Sequence, residues 1–404
     1  MAIDNKDKKV LNVPHLRFPE FSGEWDSFKL VELGKFIGGG TPSSSNLSFW
    51  TGSIPWISSS DIKEDNINNI SISRYITEDA IEKSATKYCP APVILIVSRV
   101  GVGKVALSHT SLCTSQDFCN IIDIKCHPVF LSYNLLRTMK RKSREVQGTS
   151  IKGITSDELQ KIRVFIPKNK DEQNKISNLL TLLDERIVTQ NKIIYKLKSL
   201  IRGIMVELQK RGLSNGTWKK VLLSNVLTER NELNKSLYPV YSVSVIQGIV
   251  NQMEYLGRSF AASDTSKYHV VHYGDLVYTK SPTGSFPYGI IKQSYNQNEV
   301  AVSPLYGVYE PKTFSTGVFL HEYFKSELNT LNYLHPLVQK GAKNTINIAN
   351  QRFLESYVAI PSNANELLAI SKLLCSLNTK LEFLQNILKQ SQGQKQYLLR
   401  QMFI

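Results

Sequence analysis

The sequence predicts an α+β protein: two mixed α/β domains related by internal duplication, separated by two long helices that form an antiparallel coiled coil. Three observations lead to this prediction. Short motifs recur at an offset of 193 or 194 residues. Two segments carry apolar residues at alternating steps of four and three, which is the spacing of a coiled-coil seam. The other segments mix short apolar runs with turn residues, as strands do.

The repeat covers both ends of each predicted domain. Residues 22–25 (SGEW) return as residues 215–218 (NGTW), and residues 164–167 (VFIP) return as residues 358–361 (VAIP). After each proline comes a polar step, then Glu172 or Glu366, and then a long helical pattern. Self-similarity at a fixed offset indicates duplication. We therefore expect domains at residues 1–170 and 212–361, with helical spacers at 171–211 and 362–404.

Each helical segment carries ten seam positions. They are Ile176, Leu180, Leu183, Ile187, Gln190, Ile194, Leu197, Ile201, Ile204 and Leu208, and then Ile370, Leu374, Leu377, Leu381, Leu384, Leu388, Ser391, Lys395, Leu398 and Met402. Each seam needs an apolar partner, and the other copy is the obvious one. Since the first helix runs from domain one to domain two and the second starts at domain two, the pair must be antiparallel. Two helices packed separately on their own domains remain the alternative.

Composition limits the function classes. The chain has 404 residues, too many for one ordinary core, and a net charge of +15 with no single basic tail. This excess of basic over acidic residues favours a polyanionic partner. Nucleic acid is the first candidate and an anionic membrane is the second. The charged first ten residues lack a leader's apolar core, no apolar run is long enough to span a bilayer, and five cysteines lack a CxxC pair. These features are typical of a cytoplasmic protein.

Catalytic and metal motifs are absent or incomplete. Residues 101–104 (GVGK) resemble the end of a phosphate-binding loop. However, Ser98 occupies the position of the motif's first glycine, and Val105 follows the lysine where the motif requires Ser or Thr. The tripeptides 61–63 (DIK) and 123–125 (DIK) could echo a nuclease's acidic residue and lysine, but such tripeptides are common by chance. The spacing of His109, Cys113, Cys119, Cys126 and His127 matches no structural zinc pattern. We expect no catalytic residue, metal or cofactor in this chain.

The first half of the chain carries a series of short motifs. They are residues 40–43 (GTPS), 49–50 (FW), Gly52, 54–58 (IPWIS), 61–62 (DI), 98–101 (SRVG), 103–104 (GK) and 116–118 (QDF). In this series the first half resembles the target-recognition domain of a type I restriction-modification specificity subunit. The second half departs from it, because residues 238–244 (YPVYSVS) stand where the first half has GTPS. The chain has a recognition domain followed by a helical region, and this order then repeats. The resemblance therefore extends over the whole chain.

The resemblance implies a non-catalytic subunit whose two domains each read one half of a split target in double-stranded DNA. It also implies partners: two methyltransferase subunits held by the helices, and restriction or motor subunits that join for cleavage. S-adenosylmethionine, ATP and magnesium would bind those partners. The alternatives are a self-sufficient DNA methyltransferase or nuclease, although no Asn-Pro-Pro-aromatic signature is present, and a coiled-coil scaffold without DNA binding.

Candidate DNA contacts follow from side-chain chemistry. Hydroxyl, amide and basic side chains read base edges in the major groove, whereas lysine and arginine beside flexible glycines suit phosphates. The loop candidates are Thr41, Ser43, Ser58, Ser60, Arg99, Lys104 and Gln116 in the first domain, and Ser242, Ser244, Lys280, Thr283 and Tyr288 in the second. The phosphate candidates are Lys140, Arg141, Lys142, Arg144, Lys152, Lys340 and Lys343.

Overall fold

A computed structural model describes residues 11–146, 153–258, 261–340 and 346–404 of the chain. These residues form two compact units. Unit 1 comprises the chain up to Asn191 together with Ile387–Ile404, and unit 2 comprises Lys192–Asn386. Both boundaries fall inside long helices, so each unit contains a segment of both. The predicted domain and spacer ranges stay a prediction.

Unit 1 begins with a mixed succession of short strands and helices. In chain order these are β1 (Asp26–Lys29), α1 (Leu30–Leu33), β2 (Lys35–Gly38), β3 (Ile54–Ile57), β4 (Arg74–Ile76), α2 (Glu78–Glu82), β5 (Tyr88–Cys89), β6 (Val93–Val97), β7 (Val105–Ser108), β8 (Leu112–Thr114), β9 (Phe118–Ile122), α3 (Pro128–Val146), α4 (Ser156–Lys161), β10 (Arg163–Ile166) and the long helix α5 (Lys170–Ser214).

Three sheets organise the strands of unit 1. An antiparallel sheet has the order β2-β9-β6-β7, and a second sheet has the order β4-β3-β8-β5, in which β3 and β8 are parallel. The pair β1-β10 joins the start and the end of the domain. Both β6 and β9 are buried along their whole length. The apolar run of residues 93–97 forms β6.

Unit 2 repeats this succession with different connecting pieces. Its elements are β11 (Trp218–Leu222), β12 (Leu227–Glu229), β13 (Tyr241–Ser244), β14 (Gly248–Asn251), α6 (Gln252–Leu256), β15 (His269–Val271), β16 (Leu276–Tyr278), β17 (Ile291–Gln293), β18 (Val300–Val302), β19 (Gly307–Pro311), α7 (Phe314–Tyr323), α8 (Glu327–Leu334), β20 (Gln339–Lys340), β21 (Ile346–Asn347), α9 (Asn350–Phe353), β22 (Tyr357–Pro361) and the second long helix α10 (Ala364–Gln401).

The two units share one four-stranded sheet and one pair of terminal strands, which confirms the predicted duplication. The sheet β12-β19-β16-β17 has the order of β2-β9-β6-β7, and β11 pairs with β22 as β1 pairs with β10. The recurring tryptophan and glutamate also meet in both copies. Trp25 Nε1 donates to Glu172 Oε1 at 3.1 Å, and Trp218 Nε1 donates to Glu366 Oε1 at 2.8 Å. In each copy, this hydrogen bond therefore connects the start of the domain to the long helix that follows it.

The long helices follow the predicted seams. All twenty seam positions are buried or half-buried, including the polar Gln190, Ser391 and Lys395. In unit 1 the first part of α5 shares a core with the last part of α10, and in unit 2 the last part of α5 shares a core with the first part of α10. These pairings confirm the predicted antiparallel order.

A buried polar contact fixes the register of the helix segments in unit 1. Lys395 on α10 forms an ion pair with Asp184 on α5, and Tyr133 OH on α3 donates to the other carboxylate oxygen at 2.8 Å. Lys395 and Asp184 side chains are only 2% and 3% exposed. Burial raises the pKa of Asp184 and lowers the pKa of Lys395, although each partner opposes the other's shift. The polar interruption of the seam is therefore a specific contact.

We expect Lys395→Met to lower the free energy of unfolding of unit 1 by about 3–5 kcal/mol, because it leaves the Asp184 carboxylate buried without a counter-charge. The double variant Asp184→Asn/Lys395→Met should recover most of this loss, since it removes both charges and keeps an acceptor for Tyr133. Urea unfolding followed by tryptophan fluorescence measures both. Lys83→Met, which breaks an exposed pair with Asp79, is the control and should change little. Equal losses in the single and double variants would contradict this role of the ion pair.

Candidate nucleic-acid interface

Four loops of unit 1 meet at one edge of its sheets. They follow β2, follow β3, join β6 to β7 and join β8 to β9. Gly40 N donates to Thr114 O at 2.8 Å, Ser115 N donates to Ile57 O at 2.9 Å, and Ser98 N donates to Asp117 O at 2.8 Å. Because these bonds connect the loops in pairs, residues distant in the sequence share one surface. We call it the loop edge of unit 1.

Predicted base-reading residues lie on this edge. Thr41 Oγ1 donates to Gln116 Oε1, which links the loop after β2 to the loop between β8 and β9. Ser43 is exposed and contacts Ser45 through a hydroxyl pair at 2.7 Å. Arg99 is exposed in the turn between β6 and β7, and no acceptor for its guanidinium lies among the described residues. The structure thus brings together side chains that were predicted from separate motifs.

A serine turn follows β3. Ser58 Oγ and Ser60 Oγ are 2.8 Å apart, and Lys104 Nζ donates to the backbone oxygen of Ser59 at 3.1 Å. Asp61 closes the turn, since its carboxylate accepts from the backbone nitrogen of Ser58 at 2.7 Å. Two hydroxyls and an ammonium group are therefore grouped on a turn that is held rigid by its own capping bonds.

The sequence did not single out Arg74, which lies on β4. Its Nη2 donates to Ser58 Oγ at 2.7 Å and forms an ion pair with Asp61, and the guanidinium lies 4.5 Å from the centroid of the Trp56 ring. Only the pairing of β3 with β4, in which Trp56 faces Arg74, brings it to the serine turn. No motif signals this contact in the sequence, because sixteen residues separate Arg74 from Ser58.

The predicted phosphate-binding cluster adjoins the same edge. Gly103 has a φ of +111° and lies so close to Ser143 on α3 that a Cβ would come within 3.1 Å of that side chain. Within the cluster, Lys140 pairs with Asp65 and Lys142 with Glu145, each at 2.7 Å. Arg141 and Arg144 are exposed, and neither has a carboxylate partner among the residues described. Lys152 lies outside the described residues.

In unit 2, Lys280, Thr283 and Tyr288 share the turn between β16 and β17, which corresponds to the β6–β7 turn. Thr283 and Phe286 exchange backbone hydrogen bonds of 3.0 Å, and Tyr288 packs on His335 with ring centroids 5.8 Å apart. Lys280 is half-buried with a φ of +60°, and burial lowers its pKa despite the opposing Glu229 carboxylate. The turn is compact and carries one cation.

The structure places Ser242 and Ser244 apart from that turn, in the separate hairpin β13–β14. Ser242 Oγ accepts from Gln252 Nε2 at 3.1 Å. Ser244 is buried, accepts from the nitrogens of Ile246 and Gln247 and donates to Tyr255 OH. These hydroxyls hold the hairpin and α6 together. Lys340 is described in its backbone alone, at β20, and Lys343 lies outside the described residues.

The cysteines and histidines do not converge on a metal site. Among the residues described, no three His, Cys, Asp or Glu side chains are placed to hold an ion. Burial raises the pKa of Cys113 and of Cys126 to about 12, which disfavours the thiolate that a metal requires. Nor does any helix in the described part of the chain combine the length and the apolar content that a membrane span needs.

Comparison with known proteins found a family model that matches the first half of the chain. The model of the type I restriction modification DNA specificity domain matches residues 22–199. The matched stretch is similar to such a specificity domain. The match begins at the first repeat motif and ends within α5, so it covers β1 to β10 and the start of the seam. The loop edge of unit 1 therefore lies within the stretch that matches this model.

Two curated relatives are specificity subunits of type I restriction enzymes. The specificity subunit of type I restriction enzyme MjaIX from Methanocaldococcus jannaschii is 33% identical over 186 residues, or 43% of this chain and 42% of that protein. The specificity subunit of EcoR124I/EcoR124II from Escherichia coli is 34% identical over 177 residues, or 42% of this chain and 43% of that protein. The matches thus span less than half the length of these relatives.

Solved structures extend the fold likeness to the whole chain. The S subunit of a type I restriction-modification system from M. genitalium has a TM-score of 0.62 at 16% identity, covering 97% of this chain and 99% of its own. A chain from a study of complex assembly and conformational transition in the type I R-M system has a TM-score of 0.50 at 13% identity, covering 93% and 95%. The fold of both units is therefore that of these proteins, while the family model matches the first half.

Proposed function

We propose that this chain is the DNA-recognition subunit of a type I restriction-modification complex and that each unit reads one half of a bipartite target. The observation that carries the proposal is the match of residues 22–199 to the DNA specificity domain model, together with the recurrence of one of its four-stranded sheets in unit 2. A duplicated reader of duplex DNA suits a target with two separated half-sites, as in other paired readers. The chain recognises DNA, and partner subunits carry out the chemistry.

The loop edge of unit 1 supports this role. It presents hydroxyl, amide and guanidinium groups of Thr41, Ser58, Ser60, Arg99 and Gln116, which are the groups that read base edges. The end of α3 adds exposed arginines beside it, and such cations position a protein on phosphates without reading sequence. Recognition and positioning are thus adjacent on the same unit.

Partner subunits would dock on exposed apolar residues of the helices. In unit 2, α5 presents a shallow apolar groove of about 660 Å³ that includes Tyr195, Leu200 and Gly203, and Tyr195 is 69% exposed. Apolar side chains on the outer face of a paired helix mark an interaction surface. We assign the helices to two methyltransferase subunits, with restriction or motor subunits joining them. These partners would bind S-adenosylmethionine, ATP and magnesium, and the complex would act on DNA in the cytoplasm.

One experiment separates this proposal from its alternatives. DNA binding and adenine methylation are measured for the purified chain alone and with methyltransferase subunits from the same genome. The proposal predicts no methylation by the chain alone and site-specific methylation by the complex. Methylation or cleavage by the chain alone would indicate an enzyme. A complex that methylates the same sites without this chain would indicate a scaffold.

The exposed arginines of α3 give a prediction about salt dependence. Arg141→Ala/Arg144→Ala should weaken binding to all sequences alike and reduce the slope of log affinity against log salt by about 1.8, roughly 0.9 for each phosphate that is no longer neutralised. Fluorescence anisotropy at several salt concentrations measures the slope. The matched control is Lys140→Ala/Lys142→Ala, whose cations already pair with carboxylates and should contribute less. An unchanged slope in the arginine variant would show that these residues face only solvent.

A further inference from the structure

We propose that an aromatic patch at one end of the unit 2 sheet binds an arginine-bearing segment of a protein partner. The patch consists of Tyr273, which precedes β16, Tyr295, which follows β17, and Phe314, which begins α7. These residues are 49%, 44% and 42% exposed. Three large aromatic side chains that share one exposed surface mark an interaction site.

The three rings contact one another in a fixed arrangement. Tyr273 and Phe314 stack with ring centroids 5.4 Å apart, and Tyr295 meets each of them edge-on with centroids 6.4 Å apart. The buried amide of Gln293 connects two of the segments, because its Nε2 donates to Gly274 O at 3.0 Å and its Oε1 accepts from Tyr295 OH at 2.8 Å. Rings that are already fixed lose little conformational entropy when a partner binds.

The patch lies at the end of the sheet away from the candidate DNA contacts of unit 2. In the hairpin of β16 and β17, Leu276 pairs with Gln293, and the turn that carries Lys280 closes the other end. The end of β19, which leads to Phe314, lies beside the start of β16. A duplex bound at the turn is therefore at the opposite end of the hairpin from the aromatic patch.

Carboxylates flank the patch and favour a cationic partner. Arg230 or His272, the neighbour of Tyr273, contacts each of four carboxylates, those of Glu232, Asp275, Glu299 and Glu310. Lys312, two residues before Phe314, is exposed. Among these described residues the carboxylates outnumber the lysine and arginine side chains. A chain with a net charge of +15 thus presents a local acidic surface, which repels phosphates and attracts cations.

Arginine fits this combination of rings and carboxylates. Its planar guanidinium stacks on an aromatic face as a cation–π contact and donates parallel hydrogen bonds to a carboxylate. The exposed rings supply the first kind of contact. Glu299 and Glu310, whose side chains are 45% and 58% exposed, supply the second. Since arginine and aromatic residues are also enriched at protein interfaces, the occupant is an arginine-bearing segment of a protein.

The corresponding end of the unit 1 sheet carries no phenyl or phenol ring. The strands β6 and β7 hold the places of β16 and β17 in the sheet order. Residues 90–92 (PAP) precede β6, His109 and Thr110 follow β7, and Pro128 begins α3 where Phe314 begins α7. We therefore expect one partner segment for each chain, in contrast to a partner that binds both halves of the duplication alike.

The test uses the full chain and a fluorescently labelled ten-residue peptide of alternating arginine and glycine as the probe. Fluorescence anisotropy should show saturable binding of one peptide per chain. A matched peptide with citrulline, the neutral counterpart of arginine, should bind about tenfold more weakly. Tyr273→Ser/Phe314→Ser should weaken binding of the arginine peptide about five- to 30-fold, the loss expected for two exposed cation–π contacts. The same variant should leave binding to a random-sequence DNA duplex unchanged.

Two further variants keep the result decisive. Glu299→Gln/Glu310→Gln leaves the rings in place and should also weaken peptide binding, so it tests the surface independently of the ring packing. Tyr88→Ser, which removes a tyrosine of similar exposure from unit 1, should bind the peptide as wild type does. Equal binding of the two peptides, or an unchanged peptide affinity in the serine variant of the patch, overturns the proposal. Loss of DNA affinity in that variant would overturn it as well and assign the patch to nucleic acid.

Discussion

Arg17→Met is expected to lower the free energy of unfolding of unit 1 by about 3–5 kcal/mol. Arg17 Nε and Nη2 donate to the two carboxylate oxygens of Glu172, both at 2.7 Å, and the Glu172 side chain is 1% exposed. Without the arginine, the carboxylate would keep, among the residues that the structure describes, only the hydrogen bond from Trp25 Nε1. A buried charge that loses its partner is among the most destabilising changes known for single substitutions.

Unit 2 supplies the matched control for this prediction. Glu366 is half-buried and accepts from Trp218 Nε1, and no arginine pairs with it among the residues described. Glu366→Gln keeps an acceptor for the indole and should cost less than Glu172→Gln, which also discharges the partner of Arg17. Denaturant unfolding monitored by fluorescence distinguishes them, because Trp25, Trp50 and Trp56 lie in unit 1 and Trp218 in unit 2. Equal costs for the two glutamine variants would mean that the arginine pair contributes nothing.

Exchanging residues 39–117 for those of another specificity domain should replace one half of the recognised motif and leave the other half unchanged. The segment contains the loops that follow β2 and β3, the β6–β7 turn and the β8–β9 loop. It leaves Trp25, α3 and the contacts of α5 with α10 in place, and the donor's strands must supply core residues in place of Ile94, Ile96 and Val105. Since base contacts specify and phosphate contacts position, the exchanged loops should transfer the specificity of the donor domain.

Sequencing of methylated DNA from cells that express the exchanged chain with its methyltransferase subunits measures the outcome. The control is an exchange of the same length in which the donor loops keep the original residues at Thr41, Ser58, Arg74, Arg99 and Gln116. If these residues read the bases, the control should retain more of the original half-site. A change in both half-sites at once would contradict the division of labour between the units.

The sequence predicted the architecture because its signals are periodic. The four-and-three spacing predicted two long helices, which are α5 and α10, and the repeated tryptophan and glutamate form a hydrogen bond in both units. The short apolar runs predicted strands but not their ends. The strands β17 and β19 are Ile291–Gln293 and Gly307–Pro311, and the pairing partner rather than local composition decides where each begins.

The candidate site was predictable only in part. The loops of unit 1 carry recognisable motifs, so Thr41, Ser58, Lys104 and Gln116 could be selected before the structure placed them on one edge. Arg74 could not, because it joins them through the pairing of β4 with β3. In unit 2, the position of Ser242 and Ser244 in a hairpin reflects local turn bonds that compete with ligand contacts, a choice that residue type alone does not reveal.

Genome-wide mapping of methylated DNA motifs, in cells with this gene and in cells from which it has been deleted, tests the central claim most directly. We expect one methylated motif made of two half-sites separated by an unspecified spacer, present with the gene and absent without it. Restoring the gene should restore the same motif. A pattern of methylation that is identical with and without the gene would contradict the assignment of this chain as the DNA-recognition subunit.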